Sequence, residues 1–265
     1  MSTRVLNITD LHIIPEINGD FYGVDPFASL QRVLELGIAQ NPDLIIVTGD
    51  MVEHADSPSY LRLRELLIST GLPTFVLPGN HDSPELIAKD LCSESIQLTD
   101  FHDQADWRLI FLDSHVDAQG YGKLSAEQQA QLQRTLEQSA SRHILIALHH
   151  TPIVSCPSFN CQLVGAAEFL EQLSSWPNVR VVIAGHTHME CSAKYKDIQV
   201  MTTPATSVQC AHEPAATCTD LIDFHASHRL DPSRHGFRIL DLESDGTFRS
   251  QVHWVANPTA AESSC

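Results

Sequence analysis

Short runs of consecutive apolar residues alternate along the chain with longer stretches whose apolar positions recur three and four apart. Arg4-Val5-Leu6-Asn7-Ile8, Leu44-Ile45-Ile46-Val47 and Thr74-Phe75-Val76-Leu77 are runs of the first kind. They are too short for helices and read as strands buried on both faces. Asp25 to Ala39 reads as a helix: Asp25 caps it, Pro26 suits its first turn, and Leu30, Val33, Leu34 and Ile38 form one stripe. Ser57 to Ser69 reads as a second helix, opened by Ser57-Pro58, with Leu61, Leu66 and Leu67 turned inward. Strand–helix–strand–helix–strand order implies parallel strands joined by right-handed crossovers. Ligands of such sheets collect beyond the carboxyl ends of the strands.

The pattern continues less regularly. A short helix is expected from Pro84 to Leu91, a strand from Trp107 to Asp113, and a helix from Ser125 to Gln138, with Ser125 as cap and Gln128 in the capping-box position. Strands follow at Ile144–Leu148 and Val179–Ala184, with a helix from Val164 to Leu173 between them. Further strands are expected at 198–202, 237–240 and 248–254, the last two joined by an Asp245-Gly246 hairpin turn. The stretch from Pro204 to His235 is too long for a plain connection and is expected to be a lid or a docking arm. One domain over residues 1–255 is expected, with 256–265 as a disordered tail.

Composition narrows the class. With 43% hydrophobic and 18% charged residues in 265, a large core can form. A net charge of −17 repels phosphate polymers and excludes nucleic acid as the main partner. A small anionic substrate stays open if bound cations reverse the field inside a cleft. Seven scattered cysteines without a CxxC pair form neither a zinc knot nor a disulfide framework, and they point to a reducing cytoplasm. Strand-like sequence from Arg4 leaves no room for a signal peptide, and no apolar stretch approaches membrane-spanning length, so no membrane partner is expected.

The chemistry gathers where the apolar runs end. Asp10-Leu11-His12, Gly49-Asp50, Gly79-Asn80-His81-Asp82, His149-His150-Thr151-Pro152 and Gly185-His186-Thr187-His188 each follow such a run. Two aspartates, one asparagine and four histidines, one of them from the 149–150 pair, suit two divalent cations. Oxygen and nitrogen donors without thiolate fit Mn, Fe and Zn and argue against a structural zinc. A shared aspartate can bridge two ions about 3.5–4 Å apart. In Asp10-Leu11-His12 and His186-Thr187-His188 an extended backbone would aim both ligands the same way. His149 and His150 should face opposite sides of their strand end. Asp82 can orient its neighbours, and Asp113 reads equally as a turn residue or a support of the site. His54, His102, His115, His143, His225, His228 and His253 read as ordinary surface or core histidines, and Cys156 and Cys161 as unpaired thiols.

The ordered set DxH, GD, GNHD, H and GHxH resembles the calcineurin-like metallophosphoesterases. The length, the HHTP form and Pro204-Ala205-Thr206-Ser207-Val208-Gln209 look like the bacterial class III cyclic-AMP phosphodiesterases. The resemblance implies an α/β fold, a two-sheet αββα sandwich with a dimetal site at the strand C-terminal edge. It implies one metal on Asp10, His12, Asp50 and His188, and another on Asp50, Asn80, His149 and His186, with Asp50 bridging and His149 chosen over His150. Asp50 and His81 would be catalytic, His81 assisting the leaving oxygen. His12, Asp50, Asn80, His81 and His188 would surround the substrate phosphate. The implied reaction is hydrolysis of 3′,5′-cyclic AMP to 5′-AMP by a metal-bridging hydroxide, with Mn or Fe bound and Zn as an option. Hydrolysis of linear diesters such as glycerophosphodiesters is the alternative. A non-catalytic scaffold is disfavoured because all seven ligand positions and His81 are filled. Residues 155–163 and 204–213, the latter including His212 and Glu213, would wall the substrate, with Ser207 and Gln209 bonding base or ribose and Phe159 stacking on a purine. The family's cyclic-nucleotide members often carry an Arg-Asn pair where this chain reads Leu163-Val164-Gly165-Ala166-Ala167-Glu168. A homodimer is the candidate assembly.

Overall fold

The computed structural model describes residues 2–153, 162–210 and 230–257. Its first half is the expected alternation: β1 (Thr3–Ile8), α1 (Pro26–Ile38), β2 (Leu44–Val47), α2 (Ser57–Ser69) and β3 (Thr74–Val76). A single turn α3 (Pro84–Leu86) widens into a π-type turn over Ile87–Leu91 and leads to β4 (Ile96–Gln97). There follow β5 (Phe101–Gln104), β6 (Trp107–Leu112), β7 (Gly122–Lys123), α4 (Ala126–Glu137), β8 (His143–Leu148), β9 (Leu163–Val164), α5 (Ala166–Ser174) and β10 (Val179–Ala184). The chain closes with β11 (Cys191–Tyr195), β12 (Ile198–Thr202), β13 (Gln209–Cys210), β14 (Leu230–Asp231), β15 (Arg234–Leu242) and β16 (Phe248–Ala256).

Two six-stranded sheets result, in the orders β16-β15-β1-β2-β3-β4 and β11-β12-β10-β8-β6-β5. Strands β1 to β4 run parallel in the first, and β6, β8, β10 and β12 in the second, with antiparallel strands at the margins. The period-2 side-chain alternation divides each strand between two cores. Val5, Leu44, Ile46 and Phe75 meet Leu109, Leu145, Val181 and Ile183 between the sheets. Leu6, Ile8, Ile45 and Val47 face the other way, onto Leu30, Val33, Tyr60, Leu63 and Leu67 of α1 and α2. Ile144, Ile146, Leu148 and Val182 face Leu132, Leu136, Phe169 and Leu173 of α4 and α5. The layers are therefore helix, sheet, sheet, helix, the sandwich that the motif resemblance implied.

Local signals explain the helix starts. Asp25 accepts from the amides of Phe27 and Ala28, and Asp56, one residue before the expected start, accepts from Ser59. Leu67 is buried as expected and Leu66 packs partly buried on the same core, whereas Leu61, also expected inward, is exposed; Tyr60 and Leu63 complete the inner face. Ser125 caps α4, but Gln128 does not close a capping box: its side-chain oxygen accepts from the amide of Asp113. Asp113 itself accepts from the amide of His115, which makes it a turn residue. The helix expected from Val164 begins at Ala166, because Leu163 and Val164 pair with β7 and Gly165 turns the chain with φ 77°. The Asp245-Gly246 hairpin forms as expected, with β16 running two residues past Trp254. The ends of the 204–235 stretch pair as β13 and β14; Phe159, Cys156, Cys161, His212, Glu213, His225, His228 and residues 258–265 lie outside the described residues. Among the described residues no helix is long and apolar enough to cross a membrane.

Candidate metal centre

Because β1, β2 and β3 in one sheet and β8 and β10 in the other are parallel within their sheets, three strand ends of one sheet and two of the other gather at one edge each, and the two edges meet. The loops beyond them carry all seven expected donors. They do so on a contorted backbone. Asp10, His12, Asp50, His186 and His188 all adopt positive φ, between 47° and 72°. The extended backbone expected at the two ligand pairs is therefore wrong, and its consequence differs between them. Asp10 and His12 still converge on one group, whereas His186 and His188 separate into different groups. Left-handed conformations at non-glycine residues are costly and persist where the surroundings impose them.

Asp50 lies at the centre. Its Oδ1 accepts from the amide of His81 at 3.0 Å. Its Oδ2 lies 3.2 Å from His149 Nε2 and 3.8 Å from His12 Nε2, so one oxygen stands between two histidine clusters. On one side, His12 Nε2 and His188 Nε2 are 3.1 Å apart, and His188 Nε2 is 3.5 Å from Asp10 Oδ1. On the other, His149 Nε2 lies 3.2 Å from Asn80 Oδ1 and 3.1 Å from His186 Nδ1. The close approach needs Gly79: a Cβ there would strike Asp50 Oδ1.

The far ring nitrogens decide what the near ones can do. His12 Nδ1 lies 2.7 Å from Glu53 Oε2, His188 Nδ1 lies 2.8 Å from the Val208 carbonyl, and His149 Nδ1 lies 2.8 Å from the Thr48 carbonyl. Acceptors at Nδ1 put the proton there and leave Nε2 as a lone pair. Two imidazole lone pairs then face each other at 3.1 Å beside carboxylates. Such a set repels itself until a cation enters, and its donors are those of Mn, Fe and Zn sites. The residues present thus fit a pair of divalent ions.

Electrostatics point the same way. Burial works against the Asp50 carboxylate, but the His149 and His81 charges hold it well below the usual range. Burial and the neighbouring Asp50 push Asp10 up to about 6, with His149 opposing. Burial would lower His149, yet Asp50 draws it up to about 9. His186, buried and beside His149, falls to about 3. In the metal-free site Asp10 and His149 thus hold protons that entering cations would displace, while Asp50 stays ionised and His186 neutral.

Around this centre stand Glu53 and Phe21, which the sequence reasoning missed, and Asp82, which it expected to orient its neighbours. Glu53 holds His12 through its carboxylate and His81 through its backbone carbonyl, 2.8 Å from His81 Nδ1. Phe21 stacks on the His12 ring at 4.7 Å between centroids. Asp82, buried, accepts from the amides of Met51 and Gly79 and from the Tyr60 hydroxyl, tying the Gly-Asn-His-Asp loop to β2 and α2. Glu53 carried one sequence signal, its position three residues past Asp50. The Thr48 and Val208 carbonyls carried none, because any residue supplies a carbonyl. Two expected substrate contacts are corrected. Ser207 is fully buried and donates to the Asp10 carbonyl at 2.7 Å, and Gln209 is buried with its amide on the Ala205 carbonyl. Ser207 thereby braces the Asp10 loop, and Gln209 the turn at Ala205. His149 and His150 diverge as expected, His149 to Thr48 and Asn80, His150 to Ser114 at 2.8 Å. His102 and His253 stack on Phe75 and Phe237, and His143 meets Trp107 at a tilt of 52°.

A four-layer αββα sandwich whose joined strand ends gather Asp, Asn and His donors around one shared carboxylate has the architecture of a dimetal phosphoesterase. The sequence profile described as Calcineurin-like phosphoesterase matches residues 3–190, and the chain belongs to that family. That family implies a dimetal centre. Among similar proteins, the 3′,5′-cyclic adenosine monophosphate phosphodiesterase CpdA of Haemophilus influenzae is 31% identical over 94% of this chain and 89% of its own length. The protein of the same name from Escherichia coli K12 is 32% identical over 96% of this chain and 90% of its own. A dimetal phosphatase from Danio rerio shares the fold, with TM-score 0.68 at 13% identity, covering 96% of this chain and 98% of that one.

Proposed function

We propose that this chain hydrolyses 3′,5′-cyclic AMP to 5′-AMP at a dimetal centre in the cytoplasm, with Mn or Fe as the working ions and Zn as an alternative. The observation that carries the reading is the convergence of Asp, Asn and His ligand atoms on both sides of Asp50 Oδ2, with the opposite nitrogens of His12, His149 and His188 tied to Glu53, Thr48 and Val208. Similarity to proteins named CpdA along nearly the whole chain supports the choice of diester.

In this reading Asp10, His12, Asp50 and His188 hold one ion, and Asp50, Asn80, His149 and His186 the other. The metal pair, when bound, supplies Lewis acidity toward phosphoryl oxygens and lowers the pKa of water. The chain's own residues do the rest. Asp50 sets the spacing of the two groups through one oxygen. The Asn80 amide orients phosphate without adding negative charge that would repel it. His81, with Nδ1 bonded to the Glu53 carbonyl and a side chain 26% exposed, donates to the leaving ester oxygen from Nε2 in its imidazolium form, the Glu53 carboxylate lying 3.4 Å from Nδ1. No nucleophilic side chain is invoked. Linear diesters, glycerophosphodiesters above all, are the alternative substrate, since the metal centre itself recognises only a phosphodiester.

The test is turnover of cyclic AMP, cyclic GMP, 2′,3′-cyclic AMP and glycerophosphocholine by Mn-reconstituted protein, with products separated by chromatography. Cyclic AMP should give 5′-AMP, with phosphomonoesters poor. Much faster cleavage of glycerophosphocholine than of cyclic AMP would transfer the assignment to linear diesters.

A further inference from the structure

The second histidine of His149-His150 has no place in the metal sets just described, yet it is fully buried beside them. Its ring centroid lies 4.6 Å from that of His186, and a ring nitrogen of each of His149, His150 and His186 lies within 4.8 Å of the others. His150 Nδ1 is 2.8 Å from Ser114 Oγ, while His150 Nε2 and His186 Nε2 are both buried without a hydrogen-bond partner. Two orphan polar atoms on adjacent buried rings call for an account, since such groups are normally paired. A second observation shows that the ring is seated deliberately. Gly122, on the β7 strap that pairs with β9, approaches so closely that a Cβ there would collide with His150 Cγ and Nδ1.

The two orphans explain each other. His186 Nδ1 points at the cluster formed by His149, Asn80 and Asp50. If His186 is to ligate through Nδ1, that nitrogen must carry a lone pair and its proton must sit on Nε2. A buried Nε2–H needs an acceptor, and His150 Nε2 is the unengaged nitrogen beside it. His150 can accept there once its own proton is on Nδ1, donated to Ser114 Oγ. From this arrangement we infer that His150, backed by Ser114, is a positioning residue that takes the Nε2–H of His186 and thereby fixes His186 with Nδ1 toward the metal centre. The two Nε2 atoms are not hydrogen-bonded in the metal-free arrangement, and a small ring rotation or one bridging water would join them. The histidines at 12, 149 and 188 find their outer acceptors in Glu53 or in backbone carbonyls. His186, on a left-handed turn with its outer nitrogen buried beside the His150 ring, uses a second imidazole instead.

The inference rests on the dimetal reading and is tested without turnover. His150→Leu removes the acceptor at similar volume, His150→Gln restores an acceptor close to the Nε2 position, and Ser114→Ala leaves the ring in place but removes its support. Metal-free proteins are first compared by circular dichroism and thermal melting, then titrated with Zn against a chelating dye. His150→Leu should weaken one of the two ions by roughly 10- to 100-fold, the usual effect of losing the outer partner of a ligating histidine, and leave the other ion unchanged. His150→Gln should recover to within about threefold of wild type, and Ser114→Ala should lose roughly 3- to 10-fold, the worth of one neutral hydrogen bond. In the Zn-loaded wild type, nitrogen-15 spectra of labelled histidine should show His186 with a proton on Nε2. Wild-type affinity for both ions in folded His150→Leu would overturn the inference, as would ligation of His186 through Nε2. A wild type that binds two ions and shows this selective loss supports it whichever diester is cleaved; a wild type that binds fewer than two overturns the metal reading and the role of His150 together.

Discussion

Glu53→Gln is the sharpest perturbation of the half of the centre that His150 does not reach. The Glu53 carboxylate lies 2.7 Å from His12 Nδ1, with its side chain only 17% exposed. Burial would lower the pKa of His12, but the bond to Glu53, with Asp50, raises it. Glutamine keeps the length and an acceptor oxygen but removes the charge. A hydrogen bond to an ionised partner is worth about 1.5–3 kcal/mol and a neutral one about 0.5–1.5, so the exchange costs about 1–1.5 kcal/mol. At about 1.4 kcal/mol per factor of ten, the ion held by His12, Asp10 and His188 should bind roughly 5- to 12-fold more weakly. Glu53→Ala also frees the tautomer and should cost more, up to roughly 100-fold. The sign with pH follows from competition: the substitution lowers the proton affinity of His12 along with its metal affinity. The loss is therefore fullest at alkaline pH and shrinks as pH falls. Chelator-competition titrations across pH, with metal analysis after dialysis, measure it. The backbone bond to His81 Nδ1 is kept, but the Glu53 carboxylate also lies 3.4 Å from that nitrogen, so at saturating metal the rate should still fall, most for esters with poor leaving groups. An unchanged affinity for both ions in Glu53→Ala would refute the reasoning, because nothing else among the described contacts fixes the His12 tautomer.

Three further outcomes are expected. Asn80→Ala should empty one metal position more than the other, since Asn80 Oδ1 lies by His149 alone; two tightly held ions with full activity would contradict that placement. His81→Ala should keep its metals but lose roughly 100-fold or more in rate, less for p-nitrophenyl esters, whose leaving group needs no proton; equal losses for good and poor leaving groups would remove the acid role. His235, buried with Nδ1 on the Ser207 carbonyl, has its pKa lowered by burial, so its folded form resists a proton that the unfolded chain accepts near pH 6.5. Its contribution to stability is complete above about pH 6.5 and lost as pH falls below it, and denaturant melts of His235→Asn should show a shallower acid-side decline than wild type; parallel slopes would show that His235 does not titrate on unfolding.

Much of this molecule could be read from its apolar runs. Strand β2 and residues 144–148 of β8 are unbroken aliphatic stretches, and each ends where a ligand-bearing loop begins, so the location of the centre followed from strand polarity alone. The donor types followed from the motifs. What the sequence concealed was of three kinds. The left-handed turns at Asp10, His12, Asp50, His186 and His188 are imposed by the crowded strand ends, and no local propensity announces them at such residues. The supports of the ligating rings are mostly backbone carbonyls, which leave no signature. Two-residue strands such as β7, β9, β13 and β14 lack the length to show a period. The last gap misled the substrate reading most. Ser207 and Gln209 looked like polar pocket residues, but the bend after β12 turns them inward to brace Asp10 and Ala205. The helix start at Ala166 in place of Val164 has the same origin, a short β9 pairing that the sequence could not reveal.

The most direct test of the account is a metal titration read by product formation. Metal-stripped protein is titrated with Mn at saturating cyclic AMP, and 5′-AMP and 3′-AMP are separated by chromatography at each step. The account predicts no turnover without metal, 5′-AMP as the sole product, and a rate that climbs to its plateau as the second ion per chain is filled. A plateau reached with one ion, 3′-AMP as the main product, or no nucleotide product at any Mn concentration would contradict it.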